Sequence, residues 1–201
     1  MIYGILGLEG LCLAWMGICG TRLLRSARLP GGAILAFLLG NFLFLLPRLL
    51  ELLLDRPLAV AVGLGELGEL LGTTAGWLML YQGWETLFSN RTRDRLTFWT
   101  AWGGGLLTIL FAVAPGNRWL QGGGSDLWTA LRTFPLTVLA AAVTTVWFSV
   151  RTQSRTARWV WLLLAMTVLC RLIFPLPFDP IVLKLPSLAV YALLAACLLG
   201  L

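Results

Sequence analysis

The chain has 201 residues, of which 59% are hydrophobic and only 12% are charged, whereas soluble domains carry about 25% charged residues. Together with a mean hydropathy of +0.87, this predicts an all-α integral membrane protein. The net charge of +6 does not indicate nucleic-acid binding, because the arginines stand in short groups between apolar runs, as at a cytoplasmic membrane surface. At about 20 residues per span, the length allows roughly seven spans in one domain, residues 1–201, and leaves no room for a soluble domain.

Apolar runs separated by charged residues, glycine or proline predict a seven-transmembrane-helix bundle. The predicted helices lie near residues 2–21, 31–54, 58–88, 97–114, 127–150, 158–176 and 181–200. Tryptophans near predicted helix ends are typical of anchors at the lipid headgroups. They are Trp99, Trp102, Trp119, Trp128, Trp159 and Trp161.

Arginines mark alternate connections between the predicted helices. The segments TRLLRSAR, SNRTRDR and RTQSRTAR each hold three arginines, whereas the other connections hold only Arg56 and Arg118. Because cytoplasmic connections carry the excess of arginine and lysine, the pattern places the N-terminus outside and the C-terminus inside. We therefore expect a multi-pass protein, with a bacterial cytoplasmic membrane as its location.

Residues suited to common enzyme chemistry are scarce. The chain has no histidine, and its four cysteines lie in apolar segments without a CxxC spacing. The commonest general base and metal ligand is therefore missing, and we predict no catalytic residue, no metal site and no cofactor. Glu66 and Glu69 could act as paired carboxylates on one helix face, but an enzyme is the less favoured interpretation.

Charged residues within the predicted spans concentrate in the outer half of the membrane. Such groups are costly in lipid, by roughly 2.5–3.5 kcal/mol each on insertion scales, so they face the protein interior or a watery cavity. They indicate either an outward-facing site for a polar or amphipathic ligand, a structural ion-pair network, or snorkelling towards the headgroups. The candidate residues for a ligand-binding site or charge network are Glu9, Arg48, Glu51, Glu66, Glu69, Arg132, Arg171 and Lys184.

The third predicted helix carries glycines on one narrow arc, at positions 65, 68, 72, 76 and 83. Small residues let a neighbouring helix approach closely, so this helix is predicted to be the central packing element. Glu66, Glu69 and Thr73 lie on the adjacent arc, beside the predicted contact. In the second helix, Asn41 is predicted to hydrogen-bond to another helix.

Two broader plans have the same helix count. Helices one to three and five to seven each cross an arginine-rich loop and carry a late arginine in the second member, Arg48 or Arg171. This gives a three-plus-one-plus-three pseudo-repeat that resembles the plan of SWEET sugar carriers, without their proline-glutamine motifs. The count and the N-out orientation also resemble seven-helix receptors and bacterial seven-helix sensory modules.

The segments GTRLLRSARLPGGAILAFLLGNFLF and SNRTRDR are similar to uncharacterised bacterial seven-helix proteins that begin with an arginine-rich first inner loop. This resemblance implies no activity. We expect a sensor-like or receptor-like protein that binds a small polar or amphipathic ligand in an outward-facing cavity. A small-solute or proton-coupled transporter and a non-catalytic subunit of a larger membrane complex are the alternatives. Expected partners are membrane lipid, an amphipathic ligand, and a membrane protein or a second copy of the chain.

Overall fold

The structure, a computed structural model, describes residues 2–88, 95–121, 126–173 and 180–200. Side chains are described for residues 4–88, 95–121, 127–170 and 184–200. The predicted connections SNRTRDR and PFDP lie largely outside these ranges. Within them the chain is helical and contains no strand, which confirms the all-α prediction.

The described chain forms long α-helices joined by short connections. They are α1 (Ile2–Ser26), α2 (Arg28–Leu54), α3 (Ala59–Leu87), α4 (Arg95–Ala112), α5 (Asp126–Phe148), α6 (Arg155–Ile173) and α7 (Pro180–Leu198). Two 3-10 turns, Pro115–Asn117 and Trp119–Gln121, lie between α4 and α5. We refer to the described residues 113–121 as the α4–α5 connection.

The first arginine-rich segment is mostly helical, contrary to the predicted loop. Helix α1 continues to Ser26 and α2 begins at Arg28, so only Ala27, in an extended conformation, separates them. Arginine and leucine are good helix formers, which explains why the segment extends both helices. Arg22 and Arg25 therefore lie on the last turns of α1.

Within the described part of the chain, three helices are long and apolar enough to cross a membrane: Gly4–Ser26, Arg28–Leu54 and Leu127–Phe148. A fourth candidate consists of Arg95–Ala112 with the bent continuation Pro115–Gln121, at an angle of 66°. Helix α3 is the longest, with 29 residues, but is not among them. Its glycines and the carboxylates Glu66 and Glu69 lower its hydropathy.

The helices form a closed ring of contacts. Helix α1 packs against α2 and α7, α6 lies between α5 and α7, and α3 contacts α2, α4, α5 and the α4–α5 connection. The interior between them is filled by buried apolar side chains, among which Trp77, Trp147 and Tyr81 are the largest. Every helix therefore contributes to the enclosed core, and α3 and α5 each contact three other helices and one of the 3-10 turns.

The glycine arc of α3 makes a close helix contact, as predicted, and the helix that it contacts is α2. A methyl group added at Gly72 would come within 2.8 Å of the Cα atom of Gly40 and within 2.7 Å of the carbonyl oxygen of Ala36. At Gly76 the same group would meet the ring of Phe37 at 2.6 Å. The absence of side chains on this arc allows the two backbones to approach closely. This contact sets the position of α3 along the axis of α2.

Candidate ligand-binding charge cluster

The contact between α2 and α3 brings charged residues together near the end of α2 and the start of α3. We call the described ion pairs there the charge cluster: Arg48, Glu66, Glu69, Arg132 and Lys184. We call this side of the molecule the cluster side. The close approach that the α3 glycines permit places the α3 carboxylates within reach of side chains on α2, α5 and α7.

Glu66 bridges two guanidinium groups. Its Oε1 atom accepts a hydrogen bond from Nη2 of Arg48 at 2.9 Å, and its Oε2 atom accepts one from Nη2 of Arg132 at 3.0 Å. The side chains of Arg48 and Arg132 are only 10% and 9% exposed, whereas that of Glu66 is 22% exposed. The Glu66 carboxylate therefore pairs with one cation from α2 and one from α5. Of these three side chains, that of Glu66 is the most exposed.

A second ion pair lies beside this bridge. Nζ of Lys184 donates to Oε1 of Glu69 at 2.5 Å, which connects α7 to α3. The ring of Phe44 is shared by two cations: the Arg48 guanidinium lies 3.6 Å from its centroid, and the Lys184 ammonium lies 4.4 Å from it. An aromatic face attracts cations through its quadrupole. Phe44 thus holds two like charges close together.

The α4–α5 connection positions Arg132. Oδ1 of Asn117 accepts a hydrogen bond from Nη1 of Arg132 at 3.2 Å, and the Trp119 ring lies 4.4 Å from the guanidinium carbon. Both residues are bound to the end of α4, because the Asn117 amide donates to the carbonyl of Phe111 and the Trp119 indole donates to that of Ala112. The α4–α5 connection therefore packs against the cluster and holds the Arg132 side chain in position.

Asn117, Trp119 and Phe44 were not predicted as site residues. The sequence pattern predicts only a headgroup anchor at Trp119, but its ring packs on Arg132. The one sequence signal was the position of Asn117 in the turn PGNRW, and that signal also fits an ordinary turn. Their roles depend on the fold of the connection.

The remaining predicted residues lie apart from these ion pairs or outside the described side chains. Glu51 accepts a hydrogen bond from the backbone N–H of Leu58 at 2.6 Å and so ties the end of α2 to the residue before α3. Glu9 is fully buried on α1. Arg171 lies on α6, but its side chain is outside the described part of the chain.

A layer of aromatic rings lies beneath the cluster. The ring of Phe37 stacks on that of Tyr191 with centroids 4.5 Å apart and meets Trp77 edge to face at 5.7 Å. All three residues are at most 3% exposed. Asn41, one turn from Phe37, donates to the Phe37 carbonyl within its own helix, so the predicted bond to another helix is wrong. These rings lie about two helical turns from Phe44, Glu69 and Lys184 along α2, α3 and α7.

The two guanidinium groups of the cluster have more N–H groups than the described hydrogen bonds use. An arginine side chain has five N–H groups, and within the described part of the chain Arg48 and Arg132 each use one on Glu66 and one on a neutral oxygen. Each oxygen of Glu66 accepts one hydrogen bond. The spare N–H groups match an acceptor such as a carboxylate, and the five side chains of the cluster include no hydroxyl or thiol nucleophile. Among the described residues no group of three or more His, Cys, Asp or Glu side chains is arranged to hold a metal ion.

Comparison with known proteins gives no relative for this chain: no protein family, curated protein or solved structure matches it significantly.

Proposed function

We propose that the chain is a seven-span membrane protein with a receptor-like role, and that the charge cluster binds the anionic group of a small amphipathic ligand. Three to four candidate spans and the apolar composition support the membrane location. The arginine-rich segments at alternate connections support an N-terminus outside, a C-terminus inside and a bacterial cytoplasmic membrane. In this orientation the cluster lies in the outer half.

The single observation that carries the binding proposal is the incomplete use of the two guanidinium groups. Arg48 and Arg132 each contact Glu66 through one nitrogen rather than through a bidentate fork. Bidentate pairing uses two parallel N–H groups on one carboxylate, so the present geometry leaves donors for a second acceptor. An anion is the matching partner because hydrogen bonds between charged groups are the stronger ones.

The surroundings of the cluster favour an amphipathic ligand. The guanidinium faces lie against the rings of Phe44 and Trp119, so a bound anion would have apolar surface beside it. A ligand with a short hydrocarbon chain matches both features. Pockets for small molecules commonly combine an apolar lining with a few well-placed polar groups.

The aromatic layer favours a receptor over a carrier. A carrier exposes its binding site alternately to both sides of the membrane, but Phe37, Trp77 and Tyr191 fill the interior beneath the cluster. Flux measurements in proteoliposomes test this distinction with octanesulfonate, which stays anionic and does not cross a bilayer unaided. We expect binding without protein-dependent uptake; uptake above that of empty liposomes would instead identify a carrier.

The binding experiment compares an anion with a neutral analogue of the same size. Isothermal titration calorimetry of the full chain in lipid nanodiscs, with empty nanodiscs as the blank, should show octanoate binding at least about tenfold more tightly than octanamide. Arg48→Lys keeps the positive charge opposite Glu66 but reduces the spare N–H groups from three to one and removes the planar fork, and it should weaken octanoate binding about tenfold. Arg158→Lys, on the exposed start of α6, is the control and should leave the affinity unchanged.

Equal affinity for octanoate and octanamide would contradict the proposal, as would equal affinities of Arg48→Lys and Arg158→Lys. In either case the ion pairs would be structural, and the subunit interpretation would gain support. A fixed protein partner that co-purifies with the chain would be the direct sign of such a subunit.

A further inference from the structure

One face of α1 carries exposed apolar side chains and ends in two exposed arginines. Leu11, Trp15 and Ile18 are 68%, 48% and 48% exposed, and Arg22 and Arg25 are exposed as well. At about 100° per residue, all five fall within an arc of about 80° on the helix. We call these five residues the arginine face of α1. Along the helix axis, an apolar surface thus leads to positive charge.

The arginine face is little covered by the rest of the described chain. Within the apolar window of α1, 22% of the residues are buried, compared with 44% in α2 and 50% in α5. Helix α2 lies against another side of α1, where a methyl group added at Gly17 or Gly20 would meet the side chain of Leu38 or Leu35 at 3.3 or 2.8 Å. Gly10, which is also exposed on α1, has no atom within 4 Å of such a methyl group. The surroundings of the molecule, rather than its core, therefore contact the arginine face.

Nearby acidic residues do not neutralise the positive charge of this face. Among the described residues, Arg22 and Arg25 form no ion pair. The sequence has no Asp or Glu between Glu9 and Glu51. Arg28, the first residue of α2, is exposed and adds a third positive charge three residues after Arg25. The arginines where α1 meets α2 are therefore available to an anion.

The charged end of the arginine face lies away from the charge cluster. On α2, Arg48 of the cluster follows Arg28 by about 30 Å at 1.5 Å per residue, so α1 ends on the side of the molecule opposite the cluster side. From Arg22 back to Leu11 the face extends about 16 Å. One leaflet of the hydrocarbon core is roughly 15 Å thick, half of about 30 Å. The face therefore matches one acyl chain whose headgroup lies at the arginines.

We propose that the arginine face binds a phospholipid with an anionic headgroup. The acyl chain lies along Leu11, Trp15 and Ile18, and the phosphate lies between Arg22 and Arg25. Residues three apart are neighbours on a helix surface, and guanidinium groups pair with phosphate through parallel N–H groups. A soluble acidic protein would contact only the arginines, whereas a lipid matches the apolar and the charged parts together. The proposal rests on the membrane location proposed above and not on ligand binding at the charge cluster.

Photo-crosslinking of the full chain tests this assignment in vesicles of equal parts phosphatidylglycerol and phosphatidylcholine with identical acyl chains. Ile18→p-benzoylphenylalanine places a photoreactive group one helical turn before Arg22. Mass spectrometry should show that this probe captures phosphatidylglycerol at least about fivefold more often than phosphatidylcholine, since each arginine near the surface gives about a fivefold preference. Phe134→p-benzoylphenylalanine is the control probe, exposed on the half of α5 nearer the cluster side, and should capture the two lipids about equally.

Adding Arg22→Gln/Arg25→Gln should abolish the preference at the Ile18 probe. Arg56→Gln/Arg118→Gln removes the same charge from exposed arginines outside the face and should preserve it.

The proposal is overturned if the Ile18 probe captures both lipids equally, or if its preference survives in Arg22→Gln/Arg25→Gln. Crosslinking of this probe chiefly to a second copy of the chain would also overturn it, because the occupant would then be another protein molecule. Lipid captured at both probes without a preference at Ile18 would overturn this inference alone. Capture of no lipid at either probe would overturn it together with the membrane location.

Discussion

Glu66→Gln is expected to be the most destabilising conservative substitution in the charge cluster. The carboxylate holds two guanidinium groups at 2.9 and 3.0 Å, and both are at most 10% exposed. A glutamine offers one carbonyl oxygen, so at most one arginine keeps an acceptor, and the new NH₂ group faces the donors of the other. Removing one partner of a buried ion pair costs about 3–5 kcal/mol. We expect a loss in that range.

The assay is reversible unfolding in mixed micelles with increasing dodecyl sulfate, followed by far-ultraviolet circular dichroism. Glu51→Gln is the control, because an amide oxygen can still accept the Leu58 N–H, and its cost should stay below about 1.5 kcal/mol. The double variant Glu66→Gln/Arg132→Gln removes one uncompensated cation and should recover part of the loss. Equal costs for Glu66→Gln and Glu51→Gln, or simple additivity in the double variant, would refute the reasoning.

Other substitutions test the packing around the cluster by the same unfolding assay. Gly72→Val should destabilise by about 1–3 kcal/mol through overpacking against Gly40, and a loss no greater than for Gly10→Val would contradict the close helix contact. Asn117→Ala should cost about 1–3 kcal/mol, because it removes an acceptor for Arg132 and a donor to the end of α4; an unchanged stability would mean that the turn does not hold Arg132. Arg118 has a left-handed backbone, with φ 48°, so Arg118→Gly should be neutral or stabilising by up to about 1–2 kcal/mol, whereas a clear loss would assign the arginine side chain a structural role.

The helical class and the close contact of α3 could be predicted because each depends on local patterns. Apolar runs of span length indicate helices, and glycines on one arc of α3 indicate which face another helix approaches. The helix ends were less accurate because arginine and leucine continue a helix as readily as they flank one. TRLLRSAR, predicted as a loop, is for that reason divided between α1 and α2.

The composition of the charge cluster could be predicted only in part. The cost of charge in an apolar segment singled out Arg48, Glu66, Glu69, Arg132 and Lys184, which the structure brings together. It could not show that Glu66 bridges two arginines, since that depends on the relative positions of α2, α3 and α5.

The neutral residues that contact the cluster could not be predicted from sequence patterns. Asn117 and Trp119 reach Arg132 only because the α4–α5 connection folds back onto α3, where Gly63 packs against the Trp119 backbone. Asn41 shows the converse limit. A polar residue in an apolar helix is predicted to bond to another helix, but the Asn41 amide group donates to the backbone carbonyl of Phe37, four residues earlier in the same helix.

The central claim is that the spare N–H groups of Arg48 and Arg132 bind an anion. Solid-state NMR with octanoate labelled with ¹³C at the carboxylate, and with the chain labelled with ¹⁵N in arginine, measures that contact through dipolar dephasing. We predict dephasing that corresponds to a carbon–nitrogen distance of about 4 Å or less, and its loss in the double variant Arg48→Lys/Arg132→Lys. Bound octanoate without dephasing from arginine, or with the same dephasing in the double variant, would contradict the account.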